Sequence, residues 1–325
     1  MIKGVHHIGL TTSDLDAATA LFGAGLALEE ARRFEVTDQA SARALFQLDG
    51  VAADVRLTRA ANGFLELFRF DAPASPPIRA RGANEAGITH ICIQTPAGEA
   101  ALASLSGAGA RFPHGLTSLG GDFRYGYGRI VDELIIEVEE TAAAPDAGPE
   151  SWIGHVAFAT PDMDRLTGFY EALTGLRRHG GQRLTGHAAY DRITGLKDVD
   201  VTAAWIQGMN IGLEFWSYAN PPTTPRADDR PVHEAGYSHV CFETDDVESD
   251  LARAIAAGGR PHSAVQDLGS ARVAYLRDPD GNIVELLQWS ASAAALSVDT
   301  LAAPDVLARL NVALDERRAA AKAQA

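Results

Sequence analysis

The chain has 325 residues, 46% hydrophobic and 22% charged, the make-up of an ordinary globular protein long enough for two domains. Its formal net charge of −15 argues against nucleic acid or an anionic membrane as partner, because both require a basic face. No apolar run reaches the ~18 residues of a membrane span and no basic-then-apolar leader is present, so a cytoplasmic protein acting on a small molecule is the expectation.

The first predicted element is a strand, His7-Ile-Gly-Leu-Thr-Thr12, with apolar residues at every second position. A helical pattern from Ser13 to Phe22 follows, opened by a polar cap and closed at Gly25. The module ends on the apolar strand Phe64-Leu-Glu-Leu-Phe68. A second module opens with His90-Ile-Cys-Ile-Gln-Thr95, exits its helix at Gly109 and ends in Leu134-Ile-Ile-Glu-Val138. Residues 141–151, rich in Ala, Pro and Gly, read as a linker. The third module runs from His155-Val-Ala-Phe-Ala-Thr160 through a helix ending at Gly175 to Gly212-Leu-Glu-Phe-Trp216. The fourth runs from His239-Val-Cys-Phe-Glu-Thr244 past Gly258 to Ile283-Val-Glu-Leu-Leu287. A tail with helical spacing (304–314) lies beyond, to pack either on the body or on a second subunit of a homodimer.

The two halves are copies. His7 to His155, Glu66 to Glu214 and Glu137 to Glu285 are each offset by 148, and His90 to His239 by 149. The approach repeats as well: Glu85-Ala-Gly-Ile-Thr-His90 matches Glu234-Ala-Gly-Tyr-Ser-His239. The chain is therefore a duplication of a duplication. It divides into an N-terminal domain (1–140), a linker (141–151), a C-terminal domain (152–290) and a helical tail (291–325).

Each closing strand carries one glutamate among apolar neighbours. A strand apolar on both faces is covered on both, and an ionised carboxylate there costs several kcal/mol unless something compensates it. Carboxylates and imidazoles converging on one point repel or take up protons unless a cation joins them, so a divalent metal is the economical solution. The candidate ligands are His7, Glu66, His90, Glu137, His155, Glu214, His239 and Glu285. Arg124-Tyr-Gly-Tyr127 and Arg272-Val-Ala-Tyr275 form a further repeat. There, Tyr127 and Tyr275 are candidate donors to a bound oxygen, and Arg124 and Arg272 candidate holders of a substrate anion. Cys92 and Cys241 share a strand face with His90 and His239, where Gly9 and Ala157 stand in the other modules, and such small residues suggest a cavity floor. His6 faces away from His7 and reads as structural, and His187 reads as a general base or a loop residue.

A β-α-β-β-β unit with a first-strand His and a last-strand Glu, closing on Asp278-Pro-Asp-Gly-Asn-Ile-Val-Glu285, resembles the vicinal oxygen chelate superfamily. That superfamily includes glyoxalase I, methylmalonyl-CoA epimerase, extradiol dioxygenases and bleomycin-resistance proteins. The resemblance implies an α+β fold of four βαβββ modules forming two cupped, eight-stranded open barrels. It implies His7, Glu66, His90 and Glu137 around one cavity and His155, Glu214, His239 and Glu285 around another. Each site would hold Zn, Ni, Co, Mn or Fe(II) with two coordination positions open to a substrate chelated through neighbouring oxygens. The activity implied first is an isomerase, epimerase or lyase working through an enediolate, with Glu66, Glu137, Glu214 or Glu285 as base. The alternatives are an Fe(II) extradiol dioxygenase using His155, His239 and Glu285, and a non-catalytic binding protein. Against the dioxygenase, Gln266 to Ser270 lacks the His its motif requires before Tyr275. Specificity is expected in loops 177–198 and 220–233.

Overall fold

The computed structural model describes residues 1–226 and 228–324, so the expected specificity loop 220–233 and the expected tail 291–325 each include one position outside the described residues. Among the described residues no helix is long and apolar enough to cross a membrane.

Module 1 comprises β1 (Ile2–Thr11), α1 (Leu15–Gly25), β2 (Glu29–Val36), α2 (Ala40–Phe46), β3 (Ala52–Arg59) and β4 (Phe64–Ala72). Module 2 comprises β5 (Gly87–Thr95), α3 (Gly98–Gly107), β6 (Thr117–Ser118), β7 (Phe123–Arg129) and β8 (Ile135–Thr141). Module 3 repeats the longer plan with β9 (Trp152–Ala159), α4 (Met163–Thr174), β10 (Arg178–Thr185), α5 (Ala188–Thr194), β11 (Asp200–Ile206) and β12 (Gly212–Asn220). Module 4 has β13 (Gly236–Thr244), α6 (Val247–Ala256), β14 (Arg260–Pro261), β15 (Gln266–Asp267), β16 (Ala271–Arg277) and β17 (Ile283–Trp289). Two 3-10 turns, Ala291–Leu296 and Val298–Thr300, lead into α7 (Val306–Gln324). Aspartates open three of the module helices: the side chains of Asp14, Asp162 and Asp246 accept from the amides of Ala17, Arg165 and Ser249 at 2.9, 3.0 and 3.1 Å.

The chain forms an α+β structure of two curled sheets, but the sheets do not follow the sequence halves. One runs β14-β16-β17-β13-β1-β4-β3-β2, joining module 4 to module 1. The other runs β10-β11-β12-β9-β5-β8-β7-β6, joining module 3 to module 2. The seams are the antiparallel pairs β1–β13 and β5–β9. The expected cavity memberships are thereby corrected: His7 and Glu66 share a sheet with His239 and Glu285, and His90 and Glu137 with His155 and Glu214. Within each half the two modules are instead joined by helices, α1 packing on α3 and α4 on α6.

The closing strands show why their glutamates are buried. In β4, Leu65 and Leu67 point into the main core beneath the helices, while Phe64, Glu66 and Phe68 point the other way. In β12 and β17, Leu213, Phe215, Val284 and Leu286 join the same core, which turns Glu214 and Glu285 to the concave face. Each sheet therefore has a greasy convex side and a concave side on which the glutamates stand. The register sets small residues opposite the candidate ligands: Gly9 pairs with His239 and Glu66, Cys92 with His155 and Glu137, and Ala157 with His90 and Glu214. Gly9 has no alternative, since a Cβ there would lie 2.0 Å from the His239 ring.

Candidate metal centres

Each concave face gathers two histidines and two glutamates. The outer centre (modules 1 and 4) joins His7, Glu66, His239 and Glu285, and the inner centre (modules 2 and 3) joins His90, Glu137, His155 and Glu214. In the outer centre His7 Nε2 lies 3.2 Å from Glu66 Oε2 and 3.0 Å from Glu285 Oε2, and His239 Nε2 lies 3.5 and 3.1 Å from the same atoms. The two Nε2 atoms are 2.9 Å apart. In the inner centre His155 Nε2 lies 2.9 Å from Glu137 Oε2 and 3.1 Å from Glu214 Oε2, with His90 Nε2 at 3.3 and 3.7 Å.

These spacings fit a shared cation. Ligands about 2.1 Å from a metal and at right angles to one another stand about 3 Å apart. In the inner centre Glu137 Oε2, His155 Nε2 and Glu214 Oε2 are buried with no hydrogen-bond partner among the described residues despite their proximity. Buried polar atoms left unpartnered are rare and costly, and a common point that their lone pairs face removes the cost. Charge agrees: two carboxylates and two neutral imidazoles carry the −2 that a divalent ion cancels. Without such an ion, burial works against charge on every member. The nearby glutamate carboxylates nonetheless hold His90 and His239 above the ordinary histidine range. In Glu66 burial is likewise overridden, and His7 draws its carboxyl down to about 2.

Neighbours fix which nitrogen faces the centre. The Leu296 carbonyl, 2.8 Å from His6 Nε2, can only accept, so the proton of neutral His6 is on Nε2. Burial and His7 keep His6 neutral, with its pKa down to about 3. Its bare Nδ1 then accepts from His7 Nδ1 at 2.7 Å, which leaves the lone pair of His7 on Nε2, toward the centre. In the inner centre Thr89 Oγ1 donates to the Ala157 carbonyl (3.2 Å) and so accepts from His90 Nδ1 at 3.1 Å, again freeing Nε2. Ser238 Oγ stands 3.0 Å from His239 Nδ1 in the matching place. Trp205 Nε1 donates to Glu214 Oε1 (2.8 Å), turning the other oxygen inward.

The tyrosines reach the centres and the arginines do not. Tyr127 and Tyr275 pair in register with Glu137 and Glu285. The hydroxyl of Tyr127 is 3.4 Å from His90 Nε2, and the Tyr275 ring centroid is 5.5 Å from that of His239. Arg124 and Arg272 precede these tyrosines by three positions, which in a strand is the opposite face. There Arg124 is bound by Glu140 and Glu99, and Arg272 by Glu248. His187 caps α5, accepting from the Ala189 amide at 3.2 Å. Cys92 and Cys241 are free and buried.

Four contributors escaped the sequence. His6 reaches His7 because β1 bulges between Val5 and His7, and its ring stacks on Phe64, 4.5 Å between centroids. Glu139 shares the inner cavity with Glu137 and accepts from Gln94 Nε2 at 2.7 Å; burial and Glu137 push it up to about 7. Its position two residues beyond Glu137 was the available signal. Thr89 and Ser238 were visible as the hydroxyl residue before each of two repeated histidines.

Comparison with known families decides the kinship. Two models, both described as the Glyoxalase/Bleomycin resistance protein/Dioxygenase superfamily, match residues 6–127 and 152–286. The chain belongs to this superfamily. Among solved structures, glyoxalase I from Zea mays matches with a TM-score of 0.62 and 16% identity, over 88% of this chain and 92% of that one. A Bacillus subtilis protein provisionally named a dioxygenase matches with a TM-score of 0.59 and 16% identity, over 93% and 90%. Likeness at these identities bears on the superfamily's fold alone. No curated protein matches at a significant level.

Proposed function

We propose that this chain is a divalent-metal enzyme of the glyoxalase type, moving a proton at a carbon beside a carbonyl in a small substrate that presents two neighbouring oxygens. The observation carrying this reading is the pair of His-Glu-His-Glu sets with donor atoms 2.9 to 3.7 Å apart on concave, walled faces. When bound, the metal supplies Lewis acidity to the substrate oxygens.

The side chains supply the rest. His7, His239, His90 and His155 hold the site with Nε2 inward. Glu66 and Glu285 in the outer centre, and Glu137 and Glu214 in the inner, are the candidate bases, each within 3.7 Å of an imidazole nitrogen that the substrate must approach. Tyr127 and Tyr275 stand where a phenol can donate to a substrate oxygen, their own pKa values held up by burial and the nearby glutamates, so both stay protonated. A second glutamate in each centre occupies the place that a two-His, one-carboxylate dioxygenase leaves open.

The test is deuterium wash-in from solvent at the carbon next to the carbonyl across a set of α-hydroxy ketones. Exchange is expected with zinc-, nickel- or manganese-loaded protein, with loss of about 10²-fold or more in Glu137→Gln with Glu285→Gln. No metal-dependent exchange on any of them, together with oxygen uptake on catechols under Fe(II), would contradict the proposal.

A further inference from the structure

The two centres open into different cavities. The inner cavity measures about 920 Å³ and the outer about 470 Å³. Ligand pockets span about 300–1,000 Å³, so the inner one has room for a body of more than one ring. Its walls are Trp205, Trp216, Tyr125 and Phe123, with Leu184 and Leu307 beside them. Flat aromatic walls of this kind take a ring by stacking and apolar burial.

Its charges point the same way. Among the described residues lining the inner cavity, Lys3 is the one permanent cation, and it is held by Glu243 and Asp299. Glu139, Asp299 and Asp305 lie on the same lining. An anionic substrate would enter a space with acidic groups and no free cation, and would lose affinity accordingly. The outer cavity differs, with Arg32 on its lining.

We infer that the inner centre takes an uncharged, ring-bearing molecule presenting two adjacent oxygens, a body larger than the outer centre accepts. The inference rests on the metal-centre reading above. Stacking on the Trp205 and Trp216 wall supplies the affinity, and the adjacent oxygens face Glu137, His155 and Glu214.

The experiment uses the full chain carrying Glu285→Gln, so that only the inner centre is intact, loaded with zinc. Tryptophan fluorescence is titrated with an ortho-dihydroxynaphthalene and with the same molecule bearing one sulfonate, matching ring and chelating atoms while changing charge. The uncharged diol is expected to bind at least about tenfold more tightly, and Trp216→Leu in the same background is expected to weaken it. Equal or tighter binding of the sulfonate, no binding of either while one zinc per chain is present, or no change in Trp216→Leu would overturn the inference and leave the metal reading standing. Failure of the Glu285→Gln protein to hold zinc would overturn the metal reading, and this inference with it.

Discussion

At the scale of single residues, two adjacent histidines divide the work at the outer centre. His7 presents Nε2 to the glutamates, and His6 determines that it can, by accepting a hydrogen bond from His7 Nδ1 while donating its own Nε2–H to the Leu296 carbonyl. Strand alternation assigns His6 to the opposite face, so pattern reading marks it as structural; a bulge between Val5 and His7 in the pairing with β13 breaks that alternation, and the ring then stacks on Phe64. His6→Phe keeps the stack and removes both hydrogen bonds. Partners of a ligating histidine are typically worth about 10–100-fold in metal affinity, and that loss is expected at the outer centre, read by chelator competition for zinc in a Glu137→Gln background. Unchanged affinity would show that His6 only packs. The candidate ligands were legible because a carboxylate flanked by Leu65 and Leu67 has no bland explanation. The arginine role was misread because position i+3 in a strand changes face.

At the scale of elements, the strands, helices and caps were legible from alternation and from Asp and Gly at helix ends. Which module pairs with which was not. All four first strands carry the same His and the same alternation, so the pattern is equally satisfied by β1 against β5 or against β13. A device that ties modules 1 and 3 together is the turn before each closing strand. Asn62 Nδ2 donates to the Asn210 carbonyl and Asn210 Nδ2 to the Asn62 carbonyl, both at 2.7 Å. Each amide also grips a first strand of the other half: Asn62 Oδ1 accepts from Ile153 N and Asn210 Oδ1 from Val5 N, both at 3.0 Å. Asn62 and Asn210 obey the same 148-residue offset as the ligands, a signal that was present and unread. Both are buried, so Asn62→Ala strands the Ile153 amide and the Asn210 carbonyl. A loss of about 2–4 kcal/mol in urea unfolding is expected; a loss under about 0.5 kcal/mol, the level of an ordinary surface change, would mean that the clasp is incidental.

At the scale of the whole molecule, the halves that are copies in sequence are not the units that build the sites. Helices join each half, through α1 with α3 and α4 with α6, whereas sheets join module 1 to module 4 and module 2 to module 3. Each centre therefore takes one His and one Glu from each half, and neither half alone contains a complete set. The segment after the last strand serves both centres: Leu296 anchors His6, while Val298 and Leu307 line the inner cavity. The most direct measurement is metal bound per chain in three full-length proteins after equilibrium dialysis against zinc. The account predicts two for the native chain, one for Glu66→Gln with Glu285→Gln, which lie in different halves but one centre, and none for Glu66→Gln with Glu137→Gln, which lie in one half but different centres. One metal in the Glu66/Glu137 double variant and none in the Glu66/Glu285 double variant would contradict it.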